Sequence, residues 1–413
     1  MLITFYDSYT VLSKVYGGAF LKQAINDTMI RESSRPHFTK ICYGVLDKEV
    51  TLNYIISKLC DKNPKQAIRT ILKIGLYSII YLNDTPYAVT DSCVELAKKL
   101  GKGGTAGFIN AVLRNYLRKG VEYPSSGVDY YSVKYSYPEF LVKRLIKDYG
   151  EKTAESIMSA DTERTFIRFN KGENGEEYLK TNGYEYEKTP FDNVFSAPKF
   201  KMNEDFYLGK YTFQSVGSVA ICDMVEGGEN ILDCCSAPGG KAVNLADKFN
   251  SVVATELHEH RVELIKSYYS RMNKSNITAM QADASVFNEE FSERFDAVLC
   301  DVPCSGTGVI KDNPDIKLRR DDSNIKELTQ IQLKILSNAS KYVKKGGYLY
   351  YSTCSIVKDE NIGVVTKFLK ENKDFTAVEI ESKLNGLKLD IGIQFLPDIS
   401  MGAGFYFVKL KRL

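Results

Sequence analysis

The sequence of 413 residues is poor in the side chains that hold metal ions. It has only three histidines, and none of its nine cysteines belongs to a Cys-x-x-Cys pair, so a zinc or iron–sulfur site has few ligands available. An odd number of cysteines in a chain without secretory features also argues against structural disulfides. We therefore expect free thiols and no bound metal.

Long uncharged apolar runs are lacking as well. The most apolar segment, residues 67–82, contains Arg69 and Lys73 and falls short of the roughly 18 uncharged residues that a membrane span needs. Near the N-terminus, Asp7 lies where a signal peptide would be apolar, and no small-residue cleavage site follows it. We expect a protein that does not enter the membrane and stays in the cytoplasm.

The composition is that of a globular protein with an uneven charge distribution. Hydrophobic residues make up 44% and charged residues 26% of the chain, which supplies enough apolar material for full cores and excludes a disordered or fibrous chain. Residues 1–125 contain 17 Lys and Arg but 10 Asp and Glu, a balance of +7, whereas the remainder carries −4. A basic N-terminal region is typical of proteins that bind a phosphate backbone, but solvated helix surfaces give similar counts, so charge alone leaves both interpretations open.

The spacing of apolar residues divides the chain into three regions, in line with its length. Helical spacing covers residues 6–119, and turn-forming residues at 124–127 end that region. One helix and several short extended pieces then predict a small α+β connector. Beyond it, short apolar strands alternate with amphipathic helices, which predicts an α/β, Rossmann-like domain with a mostly parallel sheet. The predicted domains are 1–126 (all-α), 127–205 (connector) and 206–413 (α/β). The predicted strands of the last domain are 230–235, 252–257, 277–283, 295–301, 347–354 and 405–410.

Chemically distinctive residues follow four consecutive strands of the α/β domain. In an open α/β sheet, ligands bind at the carboxyl ends of the strands. The first strand runs into residues 235–241, where two glycines let the backbone approach a ligand at the start of a helix. The next strands end at Glu256, Asp283 and Asp301, and an acidic residue at the second strand end typically binds ribose hydroxyls. The set favours a nucleoside-bearing cofactor, and it differs from the Gly-x-Gly-x-x-Gly loop of NAD enzymes.

Two cysteines, Cys304 and Cys354, follow strands in the same half of the sheet. They are 50 residues apart and are flanked by glycine, serine and threonine. In a doubly wound sheet the two strand ends can be neighbours, so both thiols can face one crevice. Most other cysteines are interpreted as small buried hydrophobic residues, namely Cys42, Cys60, Cys93, Cys222 and Cys300.

Three of these segments together resemble the RNA cytosine-5 methyltransferases that use S-adenosylmethionine. They are Asp-x-Cys-x-Ala-Pro-Gly-Gly-Lys at 233–241, Asp-x-Pro-Cys-Ser-Gly-Thr-Gly at 301–308, and Ser-Thr-Cys-Ser at 352–355. Gly-Phe-Ile-Asn-Ala-Val-Leu-Arg at 107–114 is similar to the helical, NusB-like RNA-binding domain of the bacterial branch that methylates 16S ribosomal RNA, often called RsmB or Sun. The resemblance covers nearly the whole chain.

The resemblance implies methyl transfer from S-adenosylmethionine to carbon 5 of a cytosine in 16S rRNA, through a covalent adduct between a cysteine and carbon 6. It makes Cys354 the nucleophile, gives Cys304 a part in product release, and puts Asp301 between cofactor and base, where it would stabilise the adduct. The residues alone leave the choice of nucleophile open, because Pro303-Cys304 also resembles the nucleophile of DNA cytosine-5 enzymes. The implied cofactor-binding residues are Cys235, Ser236, Ala237, Pro238, Gly239, Gly240, Lys241, Glu256, Asp283 and Asp301.

RNA contacts are predicted on two basic surfaces. The first comprises Arg31, Arg35, Lys40, Arg114, Arg118 and Lys119, and the second comprises Lys311, Lys317, Arg319 and Arg320. Further candidates, with core or turn roles as the alternative, are Tyr135, Tyr137, Arg168 and Asn170. The expected partner is 16S rRNA, naked or in a partly assembled subunit, and the expected oligomeric state is a monomer.

Other functions remain as alternatives at this point. One is a non-catalytic RNA-binding or antitermination factor built on the N-terminal region, and another is a methyltransferase that acts on a different RNA. A dithiol redox enzyme could use Cys304 and Cys354, although it would lack the usual Cys-x-x-Cys motif. An adenine methyltransferase is disfavoured because Cys304 takes the place of the second proline of its motif.

Overall fold

The computed structural model describes residues 1–31, 34–160 and 164–413. These residues form two compact units, Met1–Ser159 with Ile310–Asp321 and Ala160–Val309 with Asp322–Leu413. This division differs from the predicted boundaries, because the helices that follow residue 126 belong to the first unit and the connector strands belong to the second. A division into two compact units does not test a three-domain division, so the boundaries at 126 and 205 stay a prediction.

The first unit is helical, as predicted for the N-terminal region. Its helices are α1 (Leu2–Tyr16), α2 (Leu21–Asn26), α3 (Arg35–Asp47), α4 (Glu49–Leu59), α5 (Gln66–Tyr81), α6 (Pro86–Lys99), α7 (Ala106–Lys119), α8 (Gly127–Tyr135), α9 (Glu139–Tyr149) and α10 (Glu151–Ser159). Helix α5 is apolar on most of its surface because it is the central helix and packs against α1, α3, α4, α6 and α7. Lys73, which interrupts its apolar run, is buried and donates a hydrogen bond to Glu49 over 2.5 Å, so the charge is neutralised inside the core.

A segment from the middle of the chain, residues 310–321, completes the first unit. Lys317 donates hydrogen bonds to the backbone carbonyl of Asp47 and, over 2.9 Å, to its carboxylate. Arg319 donates to the backbone carbonyls of Gly18 and Ala19. The sequence predicts that both cations contact RNA. In the structure they instead donate hydrogen bonds within the first unit, and Lys317 is buried.

The second unit begins with the small α+β part predicted as a connector. Its elements are β1 (Phe166–Phe169), α11 (Gly175–Thr181), β2 (Glu187–Lys188), β3 (Val194–Ser196), α12 (Glu204–Tyr207) and β4 (Tyr211–Phe213). The strands form an antiparallel sheet in the order β2-β3-β1-β4. Its core is strongly aromatic, with Phe169, Phe195 and Tyr211 in ring contact.

The rest of the second unit is the predicted Rossmann-like domain. Its helices are α13 (Val216–Met224), α14 (Gly240–Leu245), α15 (Glu259–Arg271), α16 (Asp322–Ala339) and α17 (Ile362–Glu371). Its strands are β5 (Gly228–Cys234), β6 (Phe249–Glu256), β7 (Ile277–Gln281), β8 (Phe295–Asp301), β9 (Val343–Thr353), β10 (Phe375–Val378), β11 (Leu387–Lys388), β12 (Ile393–Phe395) and β13 (Phe405–Arg412).

The order of the strands explains why the functional segments meet. Strands β7, β6, β5, β8 and β9 are neighbours in that order and run parallel. Strands β13, β12 and β11 continue the sheet antiparallel beyond β9, and β10 pairs with β13. All six predicted strands are present, and the parallel part brings the carboxyl ends of five of them to one edge.

Neither a membrane span nor a metal cluster is found in the part of the chain that the structure describes. No helix within residues 1–31, 34–160 and 164–413 has the length and apolarity to cross a bilayer. Within the same residues, no group of three or more His, Cys, Asp or Glu side chains is placed to hold a metal ion.

Candidate active site

The turn after β5 is shaped by left-handed backbone. Cys235 has a φ of 58° and Gly239 has a φ of 104°, a region that favours glycine. A Cβ on Gly239 would also lie 3.2 Å from the side chain of Ile265, so glycine permits the close packing of the turn against α15. The amide of Ser236 donates to the carbonyl of Thr255 over 2.9 Å and ties the turn to β6.

A buried carboxylate, Asp233, lies beneath this turn. It accepts a hydrogen bond from the Ser236 hydroxyl over 2.6 Å, and its other oxygen has no hydrogen-bond partner among the described residues. Burial raises the pKa of Asp233 to about 7, because desolvation disfavours the charged form.

Asp301, at the end of β8, is held from two sides. Its Oδ2 accepts a hydrogen bond from the Lys241 ammonium over 2.5 Å, and its Oδ1 accepts one from the Ser352 hydroxyl over 2.7 Å. Burial acts to lower the pKa of Lys241, but the Asp301 carboxylate outweighs it and holds that pKa above its ordinary value. The two side chains thus form an ion pair that links α14, β8 and β9.

Glu256, at the end of β6, presents an unused acceptor. The side chain is buried, and its Oε1 accepts hydrogen bonds from the Leu257 amide over 3.0 Å and from Arg261 over 3.2 Å. Its Oε2 is buried without a partner in the described part of the chain. Such an atom is costly unless a ligand satisfies it.

These strand ends surround a cavity of about 670 Å³. Five of the predicted cofactor residues line it: Cys235, Ala237, Glu256, Asp283 and Asp301. The other five, Ser236, Pro238, Gly239, Gly240 and Lys241, belong to the turn and the start of α14. Apolar residues of α16, Ile331 and Ile335, also line the cavity, which is large enough for a nucleoside-sized ligand.

Both cysteines line the same cavity. The sulfur of Cys304 lies 3.1 Å from the sulfur of Cys354. The hydrogen bond to Cys354, burial and the nearby charges of Cys354 and Glu360 raise the pKa of the Cys304 thiol well above its usual value. Burial and these neighbours favour the neutral form of the Cys304 thiol, and the hydrogen bond between the two sulfurs can run in either direction.

Backbone packing also joins the two cysteine segments. The amide of Gly308 donates to the carbonyl of Cys354 over 3.0 Å. A Cβ on Gly308 would lie 1.9 Å from the carbonyl oxygen of Gly404, so only glycine fits there. This explains the second glycine of the Ser-Gly-Thr-Gly sequence.

Sequence reasoning missed a group of buried polar residues behind the cysteines. Glu360, Gln332, Asn361 and Gln394 are all buried and hydrogen-bond to the cysteine segments, as when Asn361 and Gln394 donate to the carbonyl of Ser355. In the sequence, Lys358-Asp359-Glu360-Asn361 has the composition of a solvated turn. The only available signal was its position shortly after the Ser-Thr-Cys-Ser segment.

The suggested RNA contacts in the connector are mostly structural. Tyr137 and Arg168 are buried, and Arg168 donates to Gln214 over 2.7 Å. Asn170 donates to the carbonyls of Gly209 and Met272, and Tyr135 donates to Glu155. By contrast, all six cations of the first basic surface are exposed: Arg31, Arg35, Lys40, Arg114, Arg118 and Lys119.

A second cavity of about 550 Å³, between α6 and α7, is lined by Gly107, Asn110 and Arg114 of the NusB-like motif.

Comparisons with known proteins agree with this architecture. The model of the 16S rRNA methyltransferase RsmB/F family matches residues 221–411, and the model of the NusB family matches residues 9–118. The probable ribosomal RNA small subunit methyltransferase B of Bacillus subtilis (strain 168) is 31% identical, over 97% of this chain and 95% of that protein. The chain belongs to the RsmB/F methyltransferase family. The family resemblance expected from the sequence is thereby confirmed.

A second relative and a solved structure also span almost all of this RsmB/F chain. Ribosomal RNA small subunit methyltransferase B of Enterobacter sp. (strain 638) is 30% identical, over 93% of this chain and 92% of that protein. The crystal structure of PH0851 matches with a TM-score of 0.83 at 22% identity and covers 99% of each chain. The predicted order of a helical NusB-like region and a Rossmann-like methyltransferase domain is confirmed.

A methyltransferase of this family needs a methyl donor, and the residues of the cavity fit S-adenosylmethionine. The unpartnered Oε2 of Glu256 is an acceptor for ribose hydroxyls at the strand end where nucleoside cofactors bind. The positive φ of Gly239 lets the backbone turn tightly into α14 beside the cavity. The cofactor expected from the sequence is therefore confirmed, while the roles of individual residues stay predictions.

Proposed function

We propose that the protein transfers a methyl group from S-adenosylmethionine to carbon 5 of a cytosine in 16S ribosomal RNA, through a covalent cysteine adduct. The observation that carries this proposal is the pair of sulfurs, Cys304 and Cys354, 3.1 Å apart on the wall of the cofactor cavity. A single thiol would suffice for many nucleophilic mechanisms. Methylation at carbon 5 needs a thiol to attack and assistance when the product leaves.

The strand-end residues are assigned to cofactor binding. Glu256 would accept hydrogen bonds from the ribose, Asp283 would face the adenine, and residues 235–241 would enclose the methionine end. When bound, S-adenosylmethionine supplies an electrophilic methyl group. The Lys241–Asp301 ion pair fixes the side chain of Asp301 at the cavity wall, where its carboxylate can accept a hydrogen bond from the base, either from the exocyclic amino group or from N3 when N3 carries a proton in the adduct.

Cys354 is assigned as the nucleophile. Carbon 5 of cytosine is too weak a nucleophile to react directly, so the Cys354 thiolate first forms a bond to carbon 6, which makes carbon 5 enamine-like. After methylation, carbon 5 loses its proton to a base and the bond between sulfur and carbon 6 breaks. The thiol of Cys304, at hydrogen-bond distance, stabilises the departing thiolate and so promotes release.

The RNA substrate is inferred from the family and from charge. The curated relatives carry the name ribosomal RNA small subunit methyltransferase B, and residues 9–118 match the NusB family. The six exposed cations of the first basic surface supply phosphate contacts. The family match disfavours a non-catalytic RNA-binding factor. A cytoplasmic location and a monomeric state stay predictions.

The test is a product analysis. The purified protein is incubated with methyl-labelled S-adenosylmethionine and protein-free small-subunit RNA, and the RNA is digested to nucleosides. We expect label in 5-methylcytidine, its loss in Cys354→Ala, and its retention in Cys60→Ala, a control thiol in the helical unit. Label in a methylated adenosine or on a ribose, or no label with either naked RNA or assembled subunits, would contradict the proposal.

A further inference from the structure

A buried carboxylate, Glu360, lies six residues after Cys354 in the sequence. It ends the 3-10 helix Lys358–Glu360 and is completely inaccessible to solvent. Among the described residues, the groups that donate hydrogen bonds to its carboxylate belong to Ser305, Ser355 and Gln332, which are all neutral. Removing a carboxylate from water is unfavourable unless donors replace the water, so its neutral partners matter.

Four hydrogen bonds satisfy the Glu360 carboxylate. Oε1 accepts from the amide of Ser305 over 2.8 Å and from Gln332 over 3.0 Å. Oε2 accepts from the hydroxyls of Ser305 and Ser355, each over 2.6 Å. Gln332 also donates to the carbonyl of Pro303 over 2.9 Å. Three separate segments of the chain therefore converge on one side chain.

The donors have a special place in the sequence, because Ser305 directly follows Cys304 and Ser355 directly follows Cys354. We propose that Glu360 is a positioning residue that holds the two cysteine segments together, so that both sulfurs face one cytosine ring. The inference rests on the proposed function and deepens it. Glu360 touches neither substrate nor cofactor and acts through the two serines.

The charge of Glu360 has a second consequence. It is one of the causes, after the hydrogen bond to Cys354, burial and the Cys354 charge, that raise the pKa of the Cys304 thiol. A negative charge close to Cys304 opposes the formation of a second thiolate beside the first. The charge of Glu360 thus favours the neutral form of the Cys304 thiol, which is the form that the proposed release step uses.

The spacing of the sulfurs can be tested without RNA. Phenylarsine oxide reacts with two thiols, forms two arsenic–sulfur bonds and releases water, so its affinity reports how well the thiols are aligned. We expect Glu360→Gln to weaken its binding by about tenfold through the loss of two acceptor bonds. Glu371→Gln, an exposed glutamate on α17, is the matched control, and Cys304→Ala gives the background from other thiols.

A kinetic measurement complements the titration. In Glu360→Gln, kcat for methylation is expected to fall by about tenfold, while KM for RNA and the Kd for S-adenosylmethionine stay at the values of Glu371→Gln. If Glu360→Gln does not fold, Ser355→Ala removes one of the four bonds and should produce a smaller loss of both arsenical affinity and kcat. In the folded variant, an arsenical affinity equal to the wild-type value, or an unchanged kcat, would overturn the positioning role.

Different results would contradict the proposed methylation and the positioning role of Glu360. A wild-type protein that makes no 5-methylcytidine contradicts the proposed function, whereas the arsenical titration does not depend on that activity. An arsenical affinity equal to the wild-type value in Glu360→Gln contradicts the positioning role, whatever the product analysis shows.

Discussion

At the scale of single residues, Glu256 has one oxygen that is bound and one that is buried without a partner among the described residues. Glu256→Ala removes the acceptor that we assign to the ribose, and its Kd for S-adenosylmethionine should rise by about tenfold or more, since hydrogen bonds to charged groups contribute more than neutral ones. Calorimetry measures this. Glu259→Ala, an exposed neighbour on α15, should bind as the wild type does, and an equal Kd in both variants would refute the assignment.

Asp233 gives the protein a dependence of stability on pH. Burial raises its pKa from 3.8 to about 7, so the folded state keeps a proton that the unfolded chain has already lost. The free energy of unfolding therefore falls as pH rises from about 4 to about 7, and then levels off. Asp233→Asn stays neutral throughout and lacks this decline.

The measurement compares unfolding at two pH values. The free energy of unfolding of Asp233→Asn minus that of the wild type should rise by on the order of 2 kcal/mol between about pH 5 and about pH 8. Asp192→Asn, on the surface, serves as the control for a general effect of charge. Parallel stability profiles of Asp233→Asn and the wild type would show that the carboxyl is ionised in the fold at acid pH.

The candidate site residues at strand ends could be predicted from the sequence, whereas the buried residues that hydrogen-bond to the cysteine segments could not. Glu256 and Asp301 end apolar strands, Cys304 comes three residues after one, and the carboxyl ends of parallel strands meet at one edge. Glu360 is different because Ser305 and Gln332, which bind it, are 55 and 28 residues away in the chain. Nothing in the local pattern distinguishes its buried carboxylate from a solvated one.

At the scale of elements, the second predicted RNA surface lies in the segment 310–321, which belongs to the helical unit. Its contacts with Asp47, Gly18 and Ala19 are distant in sequence, so local composition could not predict them. The strands show the opposite case. Strand β8 has the predicted bounds. Strand β9 begins four residues before its predicted start. Its first residues, Val-Lys-Lys-Gly, lack the apolar alternation by which a strand is predicted from sequence.

Lys317 tests the structural part of that segment. Burial lowers its pKa to about 8, and it is paired with Asp47, so the ion pair is present at neutral pH. Lys317→Met removes this partner from the half-buried Asp47 carboxylate, which keeps Lys48 at 2.8 Å, and the free energy of unfolding should fall by about 1 to 3 kcal/mol. Urea denaturation measures the change, with the exposed Lys62→Met as control. A difference from the control within about 0.5 kcal/mol would mean that Lys317 is not structural.

At the scale of the whole molecule, positive charge is concentrated in residues 1–125, with a balance of +7. If Arg114, Arg118 and Lys119 contact phosphates, their combined replacement by alanine should reduce the slope of log K against log salt for RNA binding by about two to three. The exposed lysines Lys367, Lys370 and Lys373 form a matched triple in the methyltransferase domain. Equal slopes for the two triple variants would count against phosphate contacts by the N-terminal unit.

The central claim is that Cys354 attacks the base and Cys304 assists release, which a denaturing gel tests most directly. Cys304→Ala and Cys354→Ala are each incubated with S-adenosylmethionine and protein-free small-subunit RNA. Loss of the Cys304 thiol should trap the intermediate, so a slowly migrating protein–RNA adduct is expected with Cys304→Ala and not with Cys354→Ala. An adduct only with Cys354→Ala would reverse the two roles. If the wild-type protein methylates this RNA but neither variant forms an adduct, the covalent mechanism is contradicted.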